Sequence, residues 1–402
     1  IKIKKILIVS ECFYPEEFKI NDVALAWKDQ GYEVTVLTLA PTYPLGKIFA
    51  GYKNGFVRKA EYQGVKIIRL FAVTGYRESA IKKILKYLNF MIVGSVVAVC
   101  IGKKYDRIFG FNLGSLTDML PAVVVGKLYK KPVMLWVQDL WPESVYAYGF
   151  KKTRMLSAAL DYFVKFIYQN VSSLAISSKG FEGRLKPYIK KSMQFGYAPN
   201  WPDDLILESD SIVLSENKKT HFTFAGNVGK VQNLENIINA FCSLEKEWSN
   251  KAQLNIIGDG SNLLLLKKLC SNHKNVIFHG KKSREDMGKF YNGSDFLIVS
   301  LIDKPVFSVT VPAKTQTYIA AKKPILAVIS GDVADIVNDN ALGISVDPSN
   351  VSLISGAFKE CIDMSDSEKL KFTVNNDRLL ETTFNKPSII KNLTTQLLGC
   401  GD

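Results

Sequence analysis

The chain has 402 residues, 47% hydrophobic and 22% charged, so it can bury large cores and exceeds the usual size of one domain. Basic residues outnumber acidic ones by 30 to 14 within residues 1–200, whereas the remainder carries 22 basic and 24 acidic residues. A basic bias confined to one half favours an anionic surface such as phospholipid, rather than nucleic acid, as the partner of that half.

The six cysteines are scattered, with no close pair typical of a zinc site or a redox motif, so we expect a reduced setting. The chain opens on Ile-Lys-Ile-Lys-Lys and runs into an apolar strand, and no secretion signal is expected. With the basic first half, these features predict a cytoplasmic protein, peripheral on the cytoplasmic face of an anionic inner membrane.

Short apolar, β-branched runs alternate with helical patterns along the first half, which is the pattern of a doubly wound α/β domain. After the opening strand at 6–10, the predicted buried strands are 33–38, 65–71, 106–111, 132–137 and 171–176.

A second series repeats this pattern. Its predicted strands are 221–225, 253–257, 276–279, 295–300 and 324–328, and its predicted helices include 234–244 and 263–270. A polar, Pro-rich stretch at 198–218 separates the two series, and the periodicity of 384–399 predicts a terminal helix. We therefore expect a first domain at 1–198, joined by a crossing helix at 384–402, and a second domain at 199–383.

The stretch 87–101 is almost entirely apolar but is shorter than a membrane span. Just before it, Ile81, Ile84, Leu85 and Leu88 recur at helical spacing, and the lysines at 82, 83 and 86 fall on another face. Two interpretations stay open, a buried crossover helix and a helix that lies in a membrane interface.

Two loops follow strand ends in the first half, where open α/β sheets bind ligands. The first holds Glu16, Glu17 and Asn21, which suit sugar hydroxyls or a catalytic base, although Asn21 can equally cap a helix. The second holds Asp139, Trp141 and Glu143. No Gly-x-Gly-x-x-Gly fingerprint is present at the first strand exit, so NAD binding is not expected.

Three glycine- or hydroxyl-rich strand exits in the second half suit a nucleotide diphosphate, because backbone N–H groups and a helix N-terminus can approach phosphate there. They lie at 226–230, 258–260 and 311–318. All three histidines also lie in this half, which removes support for a hydrolase triad in the first domain.

At these segments the sequence resembles bacterial glycosyltransferases of family 4, which are retaining enzymes of the two-domain GT-B fold, over essentially the whole chain. It is most similar to the O-antigen and capsule branch that includes putative L-fucosamine transferases. The matching motifs are Phe13-Tyr14-Pro15-Glu16-Glu17, Tyr43-Pro44 with Gly46, Asp139-Leu140-Trp141-Pro142-Glu143-Ser144, Phe224-Ala225-Gly226-Asn227 and Val311-Pro312-Ala313-Lys314.

The resemblance implies that two Rossmann-like domains face a cleft, that the second domain holds the nucleotide diphosphate and the first the acceptor, and that the C-terminal helix returns to the first. Two departures stand out. The Arg and Lys that usually hold the diphosphate fall on Asn227 and Gln232, and the paired glutamates fall on Val309 and Thr317. Lys230 and Lys314 are the cations left nearby.

These observations predict a retaining transferase that moves an N-acetylated hexosamine or deoxyhexosamine from a UDP-sugar to a lipid-linked saccharide, without a cofactor or metal. The alternatives are a UDP-sugar epimerase or hydrolase of the same architecture and a non-catalytic nucleotide-sugar-binding protein. The predicted catalytic residues are Asp139, Glu16 and Lys314. The predicted donor-binding residues are Gly226, Asn227, Lys230, Gln232, Gly258, Gly260, Pro312, Lys314, Gln316 and Thr317. The predicted acceptor-binding residues are Tyr14, Glu17, Asn21, Tyr43, Trp141 and Glu143.

Overall fold

A computed structural model describes residues 4–76, 79–147, 149–203, 210–212, 214 and 219–399. It divides the chain into two compact units, one formed by Ile1–Pro199 with Pro387–Asp402 and the other by Asn200–Lys386. The sequence places these boundaries at 198 and 384. Part of the predicted linker, at 204–209, 213 and 215–218, lies outside the described residues.

The first unit is built on one sheet with the strand order β3-β4-β2-β1-β5-β6-β7-β8 within its described residues. Neighbouring strands are parallel except that β3 runs antiparallel to β4. The strands are β1 (Lys5–Val9), β2 (Glu33–Leu39), β3 (Val57–Tyr62), β4 (Val65–Leu70), β5 (Arg107–Asn112), β6 (Val133–Val137), β7 (Ser173–Ile176) and β8 (Gln194–Tyr197).

Helices connect these strands and cover the sheet, whose central strands β1 and β6 are almost wholly buried because their side chains are apolar on both faces. The helices are α1 (Lys19–Asp29), α2 (Ala80–Gly102), α3 (Leu120–Tyr129), α4 (Glu143–Ala147), α5 (Arg154–Gln169) and α6 (Phe181–Leu185), with 3₁₀ turns at Leu116–Met119 and Lys186–Tyr188.

The second unit carries a fully parallel sheet with the order β11-β10-β9-β12-β13-β14 within its described residues. Both units are therefore Rossmann-like, as the repeated pattern predicts. The strands of the second unit are β9 (Thr220–Ala225), β10 (Ala252–Ile257), β11 (Val276–Gly280), β12 (Phe296–Ser300), β13 (Ile325–Val328) and β14 (Gly343–Val346).

Phe222 and Phe358 meet edge to face in the core of this unit, at a ring separation of 4.8 Å. The helices are α7 (Leu234–Cys242), α8 (Lys246–Ser249), α9 (Leu263–Leu269), α10 (Arg284–Asn292), α11 (Pro305–Ser308), α12 (Lys314–Ala320), α13 (Asp332–Asp339), α14 (Val351–Asp363), α15 (Asp366–Lys371) and α16 (Asn376–Glu381), with a 3₁₀ turn at Lys230–Gln232.

The last helix, α17 (Lys386–Gly399), packs on the first unit from Pro387 onward. The Trp27 indole N–H donates to the Thr394 hydroxyl at 2.8 Å, and the Gln396 amide donates to the Leu174 carbonyl at 2.9 Å. Arg107 donates to the Leu397 and Leu398 carbonyls at 3.2 and 3.0 Å, which satisfies carbonyl groups at the helix end. The terminal segment is thus part of the first domain, as the resemblance implies.

Candidate active site

Two glycine-framed strand exits of the second unit are held in direct backbone contact. Gly226 follows β9 and Gly258 follows β10, both with positive φ, and a Cβ at Gly258 would collide with the Gly226 carbonyl oxygen. The Val228 N–H donates to the Asp259 carbonyl at 2.9 Å. Only glycine allows this approach, so these residues form one rigid edge at the carboxyl ends of the strands.

The Lys314 amine lies at this edge, at the N-terminus of α12. Its Nζ is 3.3 Å from the Gln232 side-chain oxygen and 3.8 Å from the centre of the Phe224 ring, and a Cβ on Gly226 would lie 3.1 Å from it. Among the described residues no carboxylate pairs with Lys314, and burial of its amine lowers its pKa to about 7. None of the described residues supplies a counter-charge for the protonated form of this amine.

The other predicted donor residues divide into two groups. Asn227 and Lys230 are exposed beside the glycine edge, where Asn227 lies close to Gly229 and Gly260. Gln316 is fully buried and, with its amide nitrogen turned inward, donates to the Pro312 and Ala313 carbonyls at 3.2 and 3.0 Å.

The Thr317 hydroxyl likewise donates to the Ala313 carbonyl, at 3.4 Å, and the residue is 7% exposed. The structure therefore gives Gln316 and Thr317 bonds within their own helix turn rather than open polar groups. Lys314, Gln232 and the glycine edge are the parts of the predicted donor site that the fold brings together.

In the first unit, Glu16 joins two loops. One of its oxygens accepts from the Thr42 and Tyr43 N–H groups at 2.8 and 2.6 Å, and the other accepts from the Phe13 N–H at 3.3 Å. Burial raises the pKa of Glu16, whereas the backbone N–H groups of Tyr43 and Thr42 act to lower it. Glu16 thus braces the loops, in contrast to the open carboxylate expected of a catalytic base.

Asn21 has a similar role in the same loop. Its side-chain oxygen accepts from the Tyr14 N–H at 3.2 Å, and its nitrogen donates to the Glu16 carbonyl at 2.7 Å. The Tyr14 ring stacks on Tyr62 at 3.6 Å. Tyr43 and Glu17 remain exposed at this edge, where they can meet an acceptor.

Asp139 follows β6 in the second predicted acceptor loop. Burial raises its pKa to about 7, against the hydrogen bond from the Leu140 N–H at 3.0 Å, which acts to lower it. A carboxyl group with this pKa can hold or release a proton near neutral pH. Trp141 keeps part of its surface exposed beside it, whereas Glu143 is paired with Arg184 at 3.2 Å.

A buried ionic cluster at the carboxyl end of β1 was not predicted from sequence. Lys86 of α2 pairs with Glu11 at 2.6 Å, and the buried Asp118 carboxyl group lies near Glu11. Burial raises the pKa of Asp118 and the negative charge of Glu11 raises it further, which favours a protonated Asp118. Burial alone would lower the pKa of Lys86, but the Glu11 carboxylate reverses this.

Lys86 was predicted to share an exposed face with Lys82 and Lys83, and the structure corrects this. Lys86 is 8% exposed and points toward the sheet, while Lys82 and Lys83 are exposed. Burial raises the pKa of the neighbouring Tyr87 to about 12. The nearby carboxyl groups of Glu11 and Asp139 contribute to this increase. The signal available in sequence was Glu11 itself, a carboxylate directly after the first strand.

Comparison with known proteins gives a family match in the second half of the chain. Residues 207–378 match the model of the family described as glycosyl transferases group 1. This match lies in the second unit and covers less than half of the chain. The chain is 26% identical over 243 residues to a probable glycosyltransferase, WbjE, of Pseudomonas aeruginosa, covering 58% of this chain and 60% of that protein.

A putative colanic acid biosynthesis glycosyl transferase of Escherichia coli K12, WcaI, is 24% identical over 266 residues, covering 60% of this chain and 61% of that protein. The alignments thus span about three fifths of the length of these curated relatives. Among solved structures, Anabaena HepE in complex with UDP and glucose superposes with a TM-score of 0.67 at 11% identity, over 98% of this chain and 99% of that one. At that identity the superposition shows the shared fold.

Proposed function

We propose that this chain is a retaining glycosyltransferase of the GT-B fold, which transfers a sugar from a UDP-sugar to a lipid-linked saccharide during O-antigen or capsule biosynthesis. The observation that carries the proposal is the Lys314 amine, which stands at the glycine edge of the second domain with no carboxylate partner among the described residues. A diphosphate supplies the missing charge. UDP in the HepE complex supports the donor, the name of WbjE supports a glycosyltransferase, and the name of WcaI, a putative colanic acid biosynthesis glycosyl transferase, supports polysaccharide biosynthesis.

The donor diphosphate lies, in this proposal, against Gly226, Gly258 and Lys314, with Gln232 holding the lysine side chain in place. The bond between the anomeric carbon and the diphosphate oxygen breaks while the acceptor oxygen bonds to the same face of that carbon. The departing diphosphate takes the acceptor proton. Lys314 stabilises the negative charge that develops on the leaving phosphate, which is the main catalytic requirement of such a reaction.

The sugar is an N-acetylated hexosamine or a deoxyhexosamine in this proposal, and turnover needs no divalent metal because Lys314 and backbone N–H groups neutralise the diphosphate. Addition of EDTA should leave the rate unchanged. Loss of activity in EDTA, with recovery on addition of Mg²⁺ or Mn²⁺, would contradict the metal-independent mechanism.

The test of the function starts with a thermal-shift screen of the purified protein against UDP-, GDP- and dTDP-sugars, followed by a transfer assay with saccharide acceptors. We expect stabilisation by a UDP-sugar and acceptor-dependent release of UDP. Release of free sugar or an epimerised donor without any transfer would instead identify a hydrolase or epimerase. Binding with no turnover across all acceptors would identify a nucleotide-sugar-binding protein.

We also propose that the protein works on the cytoplasmic face of an anionic membrane, where a lipid-linked acceptor is found. The support is the charge distribution, because the excess of basic residues is confined to residues 1–200. Association with anionic but not neutral vesicles is expected, and equal binding to both would leave the basic half unexplained.

A further inference from the structure

Helix α2 turns an apolar face to solvent. Ile81 is 71% exposed, Ile92 55% and Val96 60%, whereas the helix face toward the sheet contains the buried Lys86. Single exposed apolar residues are ordinary, but an uninterrupted row on one helix marks a surface that meets something apolar. The outward row, here called the α2 stripe, consists of Ile81, Ile84, Leu85, Leu88, Ile92 and Val96.

By length and composition α2 could cross a membrane, since Ile81–Gly102 has 22 residues and contains an 18-residue window with a mean hydropathy of 2.1, of which only 22% is buried. Its inner face nevertheless belongs to the domain. The Asn89 amide donates to the Phe71 carbonyl at 2.7 Å, and the Tyr129 hydroxyl donates to the Val99 carbonyl at 2.8 Å. A helix held along its length against its own sheet can meet a bilayer only side-on.

Exposed lysines stand at both ends of the stripe. Lys82 and Lys83 lie at its start, and Lys103 and Lys104 lie just beyond the end of the helix. The two pairs are separated by about 30 Å at the rise of an α-helix. A second copy of this helix would bring lysines against lysines at the ends in either direction, whereas the headgroups of anionic lipid complement both pairs.

We propose that α2 lies parallel to the surface of an anionic bilayer, with the α2 stripe among the acyl chains and the two lysine pairs on headgroup phosphates. This is the arrangement of an interfacial amphipathic helix, which combines buried apolar area with attraction to anionic lipid. The inference rests on the membrane location proposed above, but not on the transfer reaction.

The placement has a consequence for the acceptor. The inner face of α2 reaches Glu11 through Lys86 at 2.6 Å, and the electrostatic influence of Asp139 extends to Tyr87 on the same helix. A bilayer on the outer face therefore lies one helix away from the carboxyl ends of the first-domain strands. An acceptor can keep its lipid in the membrane while its saccharide reaches this edge.

Co-sedimentation with vesicles of phosphatidylcholine, with and without phosphatidylglycerol, tests the proposal on the full chain. The variant Leu85→Ser/Leu88→Ser should lower the partition coefficient about tenfold or more on anionic vesicles. The matched control Leu264→Ser/Leu265→Ser removes two exposed leucines of the second domain and should bind like wild type. Equal binding by the stripe variant and this control would overturn the proposal.

The charges are tested separately with Lys82→Glu/Lys83→Glu, matched by the exposed pair Lys267→Glu/Lys268→Glu in the second domain. Only the first variant should lose binding to anionic vesicles, and the difference should shrink in high salt because exposed charges are screened. Equal losses in both variants would overturn the role of the α2 lysines.

A second copy of this chain is the competing partner for the α2 stripe, and the oligomeric states of wild type and the stripe variant test this alternative. A wild-type dimer that the stripe substitutions dissociate, with vesicle binding unchanged, would assign the stripe to a second copy and overturn the proposal. UDP stabilisation of each variant in a thermal-shift assay monitors the fold of the second domain. Retained transfer to a soluble acceptor by a variant that no longer binds vesicles would support the placement and separate its outcome from that of the proposed reaction.

Discussion

The two domains have similar sheets but treat charge at their strand ends in opposite ways. In the first, two buried carboxylates are matched internally, because Glu11 is paired with Lys86 and Glu16 accepts backbone N–H groups. In the second, Lys314 has no carboxylate partner among the described residues, and its nearest polar contact is the neutral Gln232. The paired carboxylates of the first domain stabilise its loops, whereas the Lys314 amine of the second domain can bind an anionic ligand.

The largest effect is expected when the paired charges of the first domain are separated. Replacing Lys86 by Met leaves the buried Glu11 carboxylate without its cation, which should lower the free energy of unfolding by about 3–5 kcal/mol. Urea denaturation measures the loss. The double variant Glu11→Gln/Lys86→Met should recover part of it, because the uncompensated charge is then absent. A single variant as stable as wild type would show that the pair carries no structural weight.

Substitution on the unmatched side should spare stability and remove activity. Lys314→Met deletes the charge that meets the leaving diphosphate, and kcat/KM should fall by about 10²–10³-fold. Lys230→Met, at an exposed lysine of the same edge, is the matched control and should lose much less. If both variants lost activity equally, Lys314 would have no special position in the site.

The pH dependence of donor binding sharpens the same point. With its pKa lowered to about 7, Lys314 is already charged below pH 7 and neutral above it in the empty site. A UDP-sugar that requires the charged amine must then take up a proton above pH 7, so its Kd should rise by up to about tenfold per pH unit. Calorimetry in buffers of different ionisation enthalpy detects this proton. Lys314→Arg should give a flat profile, and a flat wild-type profile would contradict the assignment.

The smallest expected effect concerns the pair of Glu143 and Arg184, whose side chains are 33% and 39% exposed. Glu143→Gln should change the free energy of unfolding by less than about 1 kcal/mol, because solvent screens a pair this exposed. A much larger loss in chemical denaturation would mean that this pair belongs with the buried charges of the first domain.

Most of the buried, apolar strands could be predicted from the sequence because short β-branched runs indicate buried strands. The terminal helix could be predicted from its apolar periodicity. The strands β3, β8 and β14 were not predicted. The strand β3 alternates Val, Arg, Lys and Glu on an exposed edge, and β14 is short and half-buried, so neither presents an apolar run.

The side-chain contacts of the site were harder to predict because the residues that pair with each other are distant in the sequence. The Glu16 carboxylate accepts hydrogen bonds from backbone N–H groups 26 and 27 residues later in the sequence. The partner of Lys86 is Glu11, which lies outside α2. Helical spacing separated the lysines from the apolar residues of α2 correctly but does not reveal which face meets the sheet. The proximity of Lys314 to the glycine edge could be predicted because adjacent strands of a parallel sheet end at the same edge.

The structure of the protein in complex with UDP tests the central claim most directly. The diphosphate should lie in the second domain, with a phosphate oxygen within hydrogen-bonding distance of the Lys314 amine, about 2.7–2.9 Å, and beside Gly226 and Gly258. A bound UDP that contacts only residues of the first domain would contradict the account.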